Sequence, residues 1–196
     1  MQSNHVPMNR ANRQRGFSLA ETLIVLTMIA TLMAIGLPRL DPDRYKADAA
    51  AVTIRSLLMQ AQRDAIVRQH DLIVSIDTAN RRLILAYDKN ADGIIATTER
   101  VRIQALPEGD KYAAPPEYLT EPGLNAYGAV RATTLETIGG FPSVTFRRDG
   151  SVSSALELYT TTRRAKPGDF RVTTVVQATG RTAFMRYKGN GWAPAQ

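Results

Sequence analysis

The chain has 196 residues, a formal net charge of +7 and no cysteine. The absence of cysteine excludes a disulfide scaffold and thiol chemistry. Beyond a basic start and one apolar run, about 160 residues remain, which is enough for one domain with its own hydrophobic core.

The N-terminal region predicts a membrane segment. Residues 1–16 are polar and contain three arginines but no acid, and residues 17–37 form the apolar run FSLAETLIVLTMIATLMAIGL. At about 1.5 Å per residue, a helix of that length spans a bilayer core of about 30 Å. The arginines before the run predict a cytoplasmic N-terminus and an exported C-terminal domain. Pro38 lacks an N–H group and is expected to break or kink this helix.

Glu21 is the only charged residue in the apolar run. A carboxylate inside a bilayer is unfavourable and usually has a partner. The alternatives are a cleaved secretory signal and an ordinary uncleaved anchor, and the acid disfavours both. No A-x-A cleavage site precedes Pro38, which further disfavours a cleaved signal.

The segment RGFSLAETLIVLTMIATLMAIGLP resembles the N-terminus of type IV pilins and type II secretion pseudopilins. Gly16, Phe17, Glu21 and Pro38 all fall on that pattern. The resemblance implies cleavage between Gly16 and Phe17 by a prepilin peptidase, followed by N-methylation of the new Phe17 amine. In a filament, Glu21 of one subunit would pair with the Phe17 amine of a neighbour, and such a pair is stronger away from water.

The rest of the chain predicts one helix followed by strands. In residues 41–70, apolar side chains recur every three or four positions and predict a helix that packs on a sheet. These side chains are Ile54, Leu57, Leu58, Ala61, Ala65 and Ile66. Alternating patterns then predict strands at residues 72–77, 82–87, 101–106, 143–147, 155–159, 169–176 and 181–187. Residues 107–130 are rich in proline, glycine and tyrosine and predict an irregular loop.

These elements indicate an α+β fold. One long N-terminal helix, half in the membrane and half a domain spine, is expected to pack on an antiparallel β-sheet domain. The helical segment QAQRDAIVRQ, the D-x-N-x-D-G loop, the VTFRRDG strand and turn, and the ATGR turn resemble the GspH/FimT group of minor pseudopilins and minor pilins. The resemblance implies a type IV pilin-like fold for most of the chain.

The resemblance also implies an organisation and a set of partners. Residues 1–16 would be a cleaved leader, residues 17–38 a transmembrane helix, and residues 39–196 a periplasmic GspH/FimT-like domain. The protein would lie in the inner membrane and then enter a pilus or pseudopilus. Its partners would be the prepilin peptidase, other major and minor pilins or pseudopilins, the inner-membrane assembly machinery, and a secreted substrate or DNA.

The sequence indicates no catalytic residues. His5 lies in the expected leader, which leaves His70 as the only histidine of the mature chain. No G-x-S-x-G motif, P-loop or histidine metal cluster is present in the sequence. We therefore expect a protein that acts by assembly and not by turnover.

The loop DKNADGIIATTE fits the calcium-loop pattern D-x-[DN]-x-[DN]-G-x5-E. Its expected calcium ligands are Asp88, Asn90, Asp92, Ile94 (through its carbonyl oxygen) and Glu99. Because the flanking segments predict strands and not helices, a hairpin whose Asn, Asp and Gly residues only form the turn is the alternative.

The last third of the chain is basic. From Phe141 to the end there are 9 basic and 3 acidic residues, whereas residues 39–140 contain 13 basic and 14 acidic ones. The asymmetry fits either a solvated surface or a polyanion partner. FimT-type minor pilins that take up DNA carry a G-R-x-R element, and the resemblance implies a DNA contact at Arg181, with Arg186 as a substitute for the second arginine only if the strand geometry permits. In this sequence Ala183 replaces the second arginine of that element.

Overall fold

The computed structural model describes residues 18–36, 42–96 and 99–195. The chain divides after Asp41 into two compact units. The Gly16–Phe17 bond, Pro38 and the predicted junction between the two helical halves lie outside the described residues.

The first unit contains helix α1 (Leu19–Gly36). Ser18 begins it, because the Ser18 hydroxyl oxygen accepts a hydrogen bond from the Ala20 N–H at 3.2 Å. The hydroxyl groups of Thr22 and Thr27 each donate to a carbonyl oxygen three residues earlier at 2.8 Å. These bonds satisfy the hydroxyls within the helix. Among the described residues, no helix combines the length and the hydropathy needed to cross a membrane.

The second unit begins with helix α2 (Pro42–Arg68). Proline suits the first helical position because the N–H it lacks would have no helical partner there. Arg68 lies in the last turn, where a cation interacts favourably with the helix dipole. Gln69 then leaves the helix with a φ of 56°. The buried face consists of Ala47, Ala50, Ala51, Ile54, Leu57, Leu58, Ala61 and Ala65.

The predicted apolar stripe of α2 is therefore correct except for Ile66, which is 41% exposed. The stripe rotates with the 3.6-residue period, and Ala65 occupies the buried position at that turn. Ile66 lies at the edge of the packed face.

Twelve strands follow within the described part of the chain, numbered in chain order. They are β1 (Asp71–Asp77), β2 (Arg82–Asp88), β3 (Val101–Ala105), β4 (Asp110–Tyr112), β5 (Asn125–Tyr127), β6 (Val130–Ala132), β7 (Glu136–Ile138), β8 (Phe141–Phe146), β9 (Leu156–Thr162), β10 (Arg171–Val175), β11 (Thr182–Tyr187) and β12 (Trp192–Pro194). All pairings between them are antiparallel. The predicted α+β class with an antiparallel sheet domain is confirmed.

The strands form two sheets. The first has the order β3-β2-β1-β8-β7, and the second has the order β12-β11-β10-β9-β6-β5 with β4 also paired to β9. The core lies where α2 meets both sheets, and its larger side chains include Leu58, Leu72, Phe146 and Leu158. Alanines on the N-terminal half of the buried face of α2 allow the helix backbone to approach the second sheet closely.

The prediction of an irregular loop over residues 107–130 is wrong in part. This region contains β4 and β5 and the first residue of β6. β7 and β12 were also not predicted. Each of these strands has only three residues, which is too short for an alternating pattern to be recognised.

Candidate functional site

Glu21 lies in the first turn of α1. Its backbone N–H donates to the Ser18 carbonyl oxygen at 2.9 Å, and its side chain is exposed. Within residues 18–36, 42–96 and 99–195 its carboxylate has no hydrogen-bond or ion-pair partner. A carboxylate in the first turn of a helix is stabilised by about 0.3–1 kcal/mol through the helix dipole. Because Gly16 and Phe17 lie outside the described residues, cleavage and the pairing of Glu21 with the Phe17 amine stay predictions.

The loop between β2 and β3 is closed by its own carboxylates. Asp88 accepts hydrogen bonds from the N–H groups of Asp92 at 3.2 Å and Gly93 at 2.8 Å. Glu99 accepts from the N–H groups of Lys89 at 3.0 Å and Ala96 at 3.1 Å. These contacts hold the ends of a β-hairpin connection together, as expected for turn-forming Asp and Glu side chains.

Asp92 completes this loop network. One of its carboxylate oxygens accepts from the Ile94 N–H at 2.8 Å and the other from the Asn90 side-chain amide at 2.6 Å. In the part of the chain that the structure describes, no group of three or more acidic, His or Cys side chains has the arrangement needed to hold a metal ion. Calcium binding by Asp88, Asn90, Asp92, Ile94 and Glu99 stays a prediction.

The two arginines proposed for DNA contact have different environments. Arg181 is exposed and directly precedes β11, whereas Arg186 lies near the end of that strand. Because side chains alternate along a strand, positions 181 and 186 face opposite sides of the sheet. The Arg186 guanidinium also contacts Asp48 at 2.9 Å. Arg181 and Arg186 therefore do not form one surface, and DNA contact through them stays a prediction.

Asp48 of α2 connects the helix to two strands. Its Oδ1 accepts from the Arg171 Nε at 2.6 Å and from the Arg186 Nε at 2.9 Å. Arg171 is 2% exposed, and its other guanidinium nitrogens donate to backbone carbonyl oxygens, including those of Gly168 and Phe170 at 2.8 Å. A buried guanidinium needs such partners to offset its lost hydration. This cluster fixes the position of α2 on β10 and β11.

A second buried cluster holds the segment before β5 against the outer face of the second sheet. Arg131 donates to the backbone carbonyl oxygens of Leu119, Glu121 and Leu124, and to the Glu157 carboxylate at 3.3 Å. The Tyr159 hydroxyl also donates to Glu157. Burial raises the pKa of Glu157, while the bonds from Tyr159 and Arg131 act in the opposite direction.

A cationic cavity of about 350 Å³ lies beyond the C-terminal end of α2. Its lining residues are Arg68, His70, Tyr87, Lys89 and Arg100. Sequence reasoning missed this cavity because its cations are scattered between positions 68 and 100. The hairpin register gives the signal that could have found it: Asp71 at the start of β1 pairs with Asp88 at the end of β2. That pairing brings the residues just before β1 beside those just after β2.

The comparison with known families falls on the N-terminal segment. Residues 11–37 match the prokaryotic N-terminal methylation motif. The match includes Gly16, Phe17 and Glu21, and this motif is typical of membrane-anchored pilins. The chain thus carries the prepilin-type N-terminus of the type IV pilin and pseudopilin class, as the sequence predicted.

The chain is also similar to the pilin-like protein PilA1 of Thermus thermophilus, with 31% identity over 80 residues. The aligned region covers 40% of this chain and 51% of PilA1, so the chain spans about half the length of this relative. The motif and this relative together support a type IV pilin or pseudopilin.

Two solved structures are similar over most of their length. The minor pseudopilin EpsH from the type 2 secretion system of Vibrio cholerae has a TM-score of 0.48 at 17% identity, covering 72% of this chain and 97% of EpsH. The type IV minor pilin FimU of Pseudomonas aeruginosa has a TM-score of 0.45 at 16% identity, covering 76% of this chain and 94% of FimU.

Proposed function

We propose that the chain is a minor pseudopilin or minor pilin of the GspH/FimT group. It is made as a precursor, inserted in the inner membrane through residues 17–38, and cleaved between Gly16 and Phe17. Residues 39–196 form its periplasmic domain. It then joins a filament of a type II secretion or type IV pilus system, where it initiates or caps the filament. Its partners are the prepilin peptidase, other major and minor pilins or pseudopilins, and the inner-membrane assembly machinery.

The observation that carries this proposal is the methylation motif over residues 11–37 together with the environment of Glu21. Cleavage after Gly16 removes the three leader arginines and creates a positive amine at Phe17. Glu21 lies four positions later, exposed and without a partner among the described residues. The Phe17 amine of a neighbouring subunit would neutralise this carboxylate in an environment of low dielectric constant, where the attraction between opposite charges is strong.

The test replaces Glu21 by Ala in the full chain. We expect the variant to insert in the membrane and to be cleaved like the unchanged chain, because neither step uses the carboxylate. Incorporation into sheared or cross-linked filaments should fall strongly, because the Phe17 amine loses its partner. Mobility on a gel reports cleavage, membrane fractionation reports insertion, and the filament fraction reports assembly.

Two control variants make this test specific. Thr22→Ala changes the next residue, whose hydroxyl only bonds within α1, and should assemble normally. Gly16→Val places a branched side chain at the cleavage site and should block both cleavage and assembly. Normal filament incorporation of Glu21→Ala would refute the pairing, and normal cleavage of Gly16→Val would refute the processing site.

A role in DNA uptake through the basic C-terminal region was the alternative function. The opposite orientation of Arg181 and Arg186 and the ion pair of Arg186 with Asp48 do not favour it.

A further inference from the structure

The cationic cavity contains charged side chains that the filament role does not use. The Arg68 guanidinium carbon lies 5.3 Å from the centre of the Tyr87 ring, and that of Arg100 lies 5.8 Å from it. Both distances are within the range of cation–π contacts. The ring therefore positions the two guanidinium groups at the cavity before any ligand arrives, which lowers the entropy lost on binding.

Tyr87 is itself held in place. The residue is 8% exposed, and its hydroxyl donates to the Asp64 carboxylate at 2.7 Å. Burial raises the pKa of Tyr87, and the Asp64 carboxylate raises it further, so the phenol stays protonated as the donor. Asp64 is thereby engaged by the hydroxyl and is not one of the residues that line the cavity.

The cations of the cavity lack counter-ions. Within the described ranges, neither Arg68, Lys89 nor Arg100 has an ion-pair partner. The paired acids at this end of β1 and β2 have other partners. Asp71 contacts Arg148 at 3.5 Å, and Asp88 accepts hydrogen bonds from the N–H groups of its own loop. The cavity thus combines three positive charges.

We propose that this cavity binds a phosphate group, either as a free phosphate or as part of a nucleic-acid backbone. Guanidinium groups suit tetrahedral oxyanions because they donate two parallel hydrogen bonds, and a lysine adds a point charge. A free phosphate carries about −1.5 to −2 charges at pH 7, and a nucleic-acid backbone presents successive diesters of one charge each, so either one offsets most of the excess charge here. A single carboxylate would leave at least two of these cations unpaired. The inference does not depend on the filament role.

The test uses the full chain in a non-ionic detergent, so that the detergent adds no competing charge. Inorganic phosphate is titrated and followed by its phosphorus NMR line width, and a labelled single strand of oligothymidylate is followed by fluorescence anisotropy. The test variant is the double substitution Arg68→Gln/Arg100→Gln. The control Arg55→Gln/Arg147→Gln removes the same charge from two exposed positions that do not line the cavity.

We expect the test variant to raise the dissociation constant for phosphate by at least about tenfold, because it loses two charge-assisted contacts. The control should change it less than about twofold. If the single strand uses this cavity, the slope of log K against log salt should be smaller by about 0.7 for each cation removed. Binding of phosphate alone would indicate a small-molecule site, whereas tight binding of only the single strand would indicate a nucleic-acid backbone site.

Three results would overturn the proposal. The first is that neither probe binds the unchanged protein. The second is equal weakening in the test and control variants, which would show an effect of net charge alone. The third is binding of oligoglutamate at the same affinity as phosphate, which would assign the cavity to an acidic protein partner. Circular dichroism and thermal unfolding of both double variants verify that they fold.

Discussion

Asp110 at the start of β4 is a buried acid whose carboxylate has no hydrogen-bond partner in the part of the chain that the structure describes, and replacing it by Asn should stabilise the protein at neutral pH. The residue is 1% exposed, and neither of its carboxylate oxygens has a hydrogen-bond partner among the described residues. Burial raises the pKa of Asp110 from 3.8 to about 6, an effect that the charge of Lys46 opposes and that of Asp43 reinforces. Asn has nearly the same shape and carries no charge.

The magnitude follows from the linkage between protonation and folding. One pKa unit corresponds to about 1.4 kcal/mol, so a rise of about two units destabilises the folded state by about 3 kcal/mol once the group is ionised. The folded protein binds this proton more strongly than the unfolded chain does. Below pH 3.8, Asp110 is protonated in both states and does not lower the free energy of unfolding. As the pH rises from 3.8 to about 6, the free energy of unfolding decreases, and above about pH 6 the decrease is complete.

Urea unfolding of the full chain in non-ionic detergent, from pH 4 to pH 8, measures this effect. Asp110→Asn and the unchanged protein should agree within about 1 kcal/mol near pH 4 and differ by about 2–3 kcal/mol at pH 7.5, with the variant more stable. The other titratable groups are the same in both proteins, so their contributions cancel in the difference between the two free energies of unfolding. Glu108→Gln is the matched control, because it removes one negative charge from an exposed position two residues away. A difference that does not change with pH, or a less stable variant at pH 7.5, would refute the reasoning.

Two further predictions concern the ion pair between α2 and β10 and the close backbone approach at Gly180. Asp48→Ala should lower the free energy of unfolding by about 3 kcal/mol, because it leaves the buried Arg171 without its anion. Its control is Arg164→Gln, which breaks an ion pair whose arginine is 61% exposed and should lower the free energy of unfolding by less than about 1 kcal/mol. Gly180→Ala should cost more than about 2 kcal/mol, because a Cβ there would lie 2.5 Å from the Gly150 carbonyl oxygen at a φ of +61°. Gly139→Ala, with a similar φ but open space, should cost only about 1 kcal/mol. Chemical unfolding measures all four, and equal costs within either pair would contradict the assigned contacts.

The elements that the sequence predicts well are those whose signal is local. The buried face of helix α2 recurs with the helical period from Ala47 to Ala65, and β1 and β2 are seven-residue segments rich in large apolar residues and buried almost throughout. These local signals are sufficient to identify them. The N-terminal motif is also local, because a peptidase reads a short contiguous segment. Strands β4, β5, β7 and β12 have only three residues each, which carry too little pattern to indicate them, and β4 in addition pairs with β9, a strand distant in the sequence.

The segment between β4 and β5 shows a further reason why sequence reasoning was incomplete. Its composition predicts irregular structure, yet Arg131 holds it through three backbone carbonyl oxygens. Carbonyl groups are present in every residue and leave no mark in the sequence. A single buried arginine can therefore order a loop that has no regular pattern of its own.

For the candidate sites, the number of basic residues in a segment is a poor guide, because it does not show which of them are paired. The last third of the chain has the larger excess of basic residues, but several of them are paired: Arg148 with Asp71, Arg164 with Asp43, and both Arg171 and Arg186 with Asp48. The cations of the cavity around Tyr87 come instead from the segment in which acids and bases nearly balance. Positive potential at a surface depends on which cations lack partners, and partners are set by strand register. The hairpin of β1 and β2 is therefore a better guide to an anion site in this chain than the net charge of its C-terminal third.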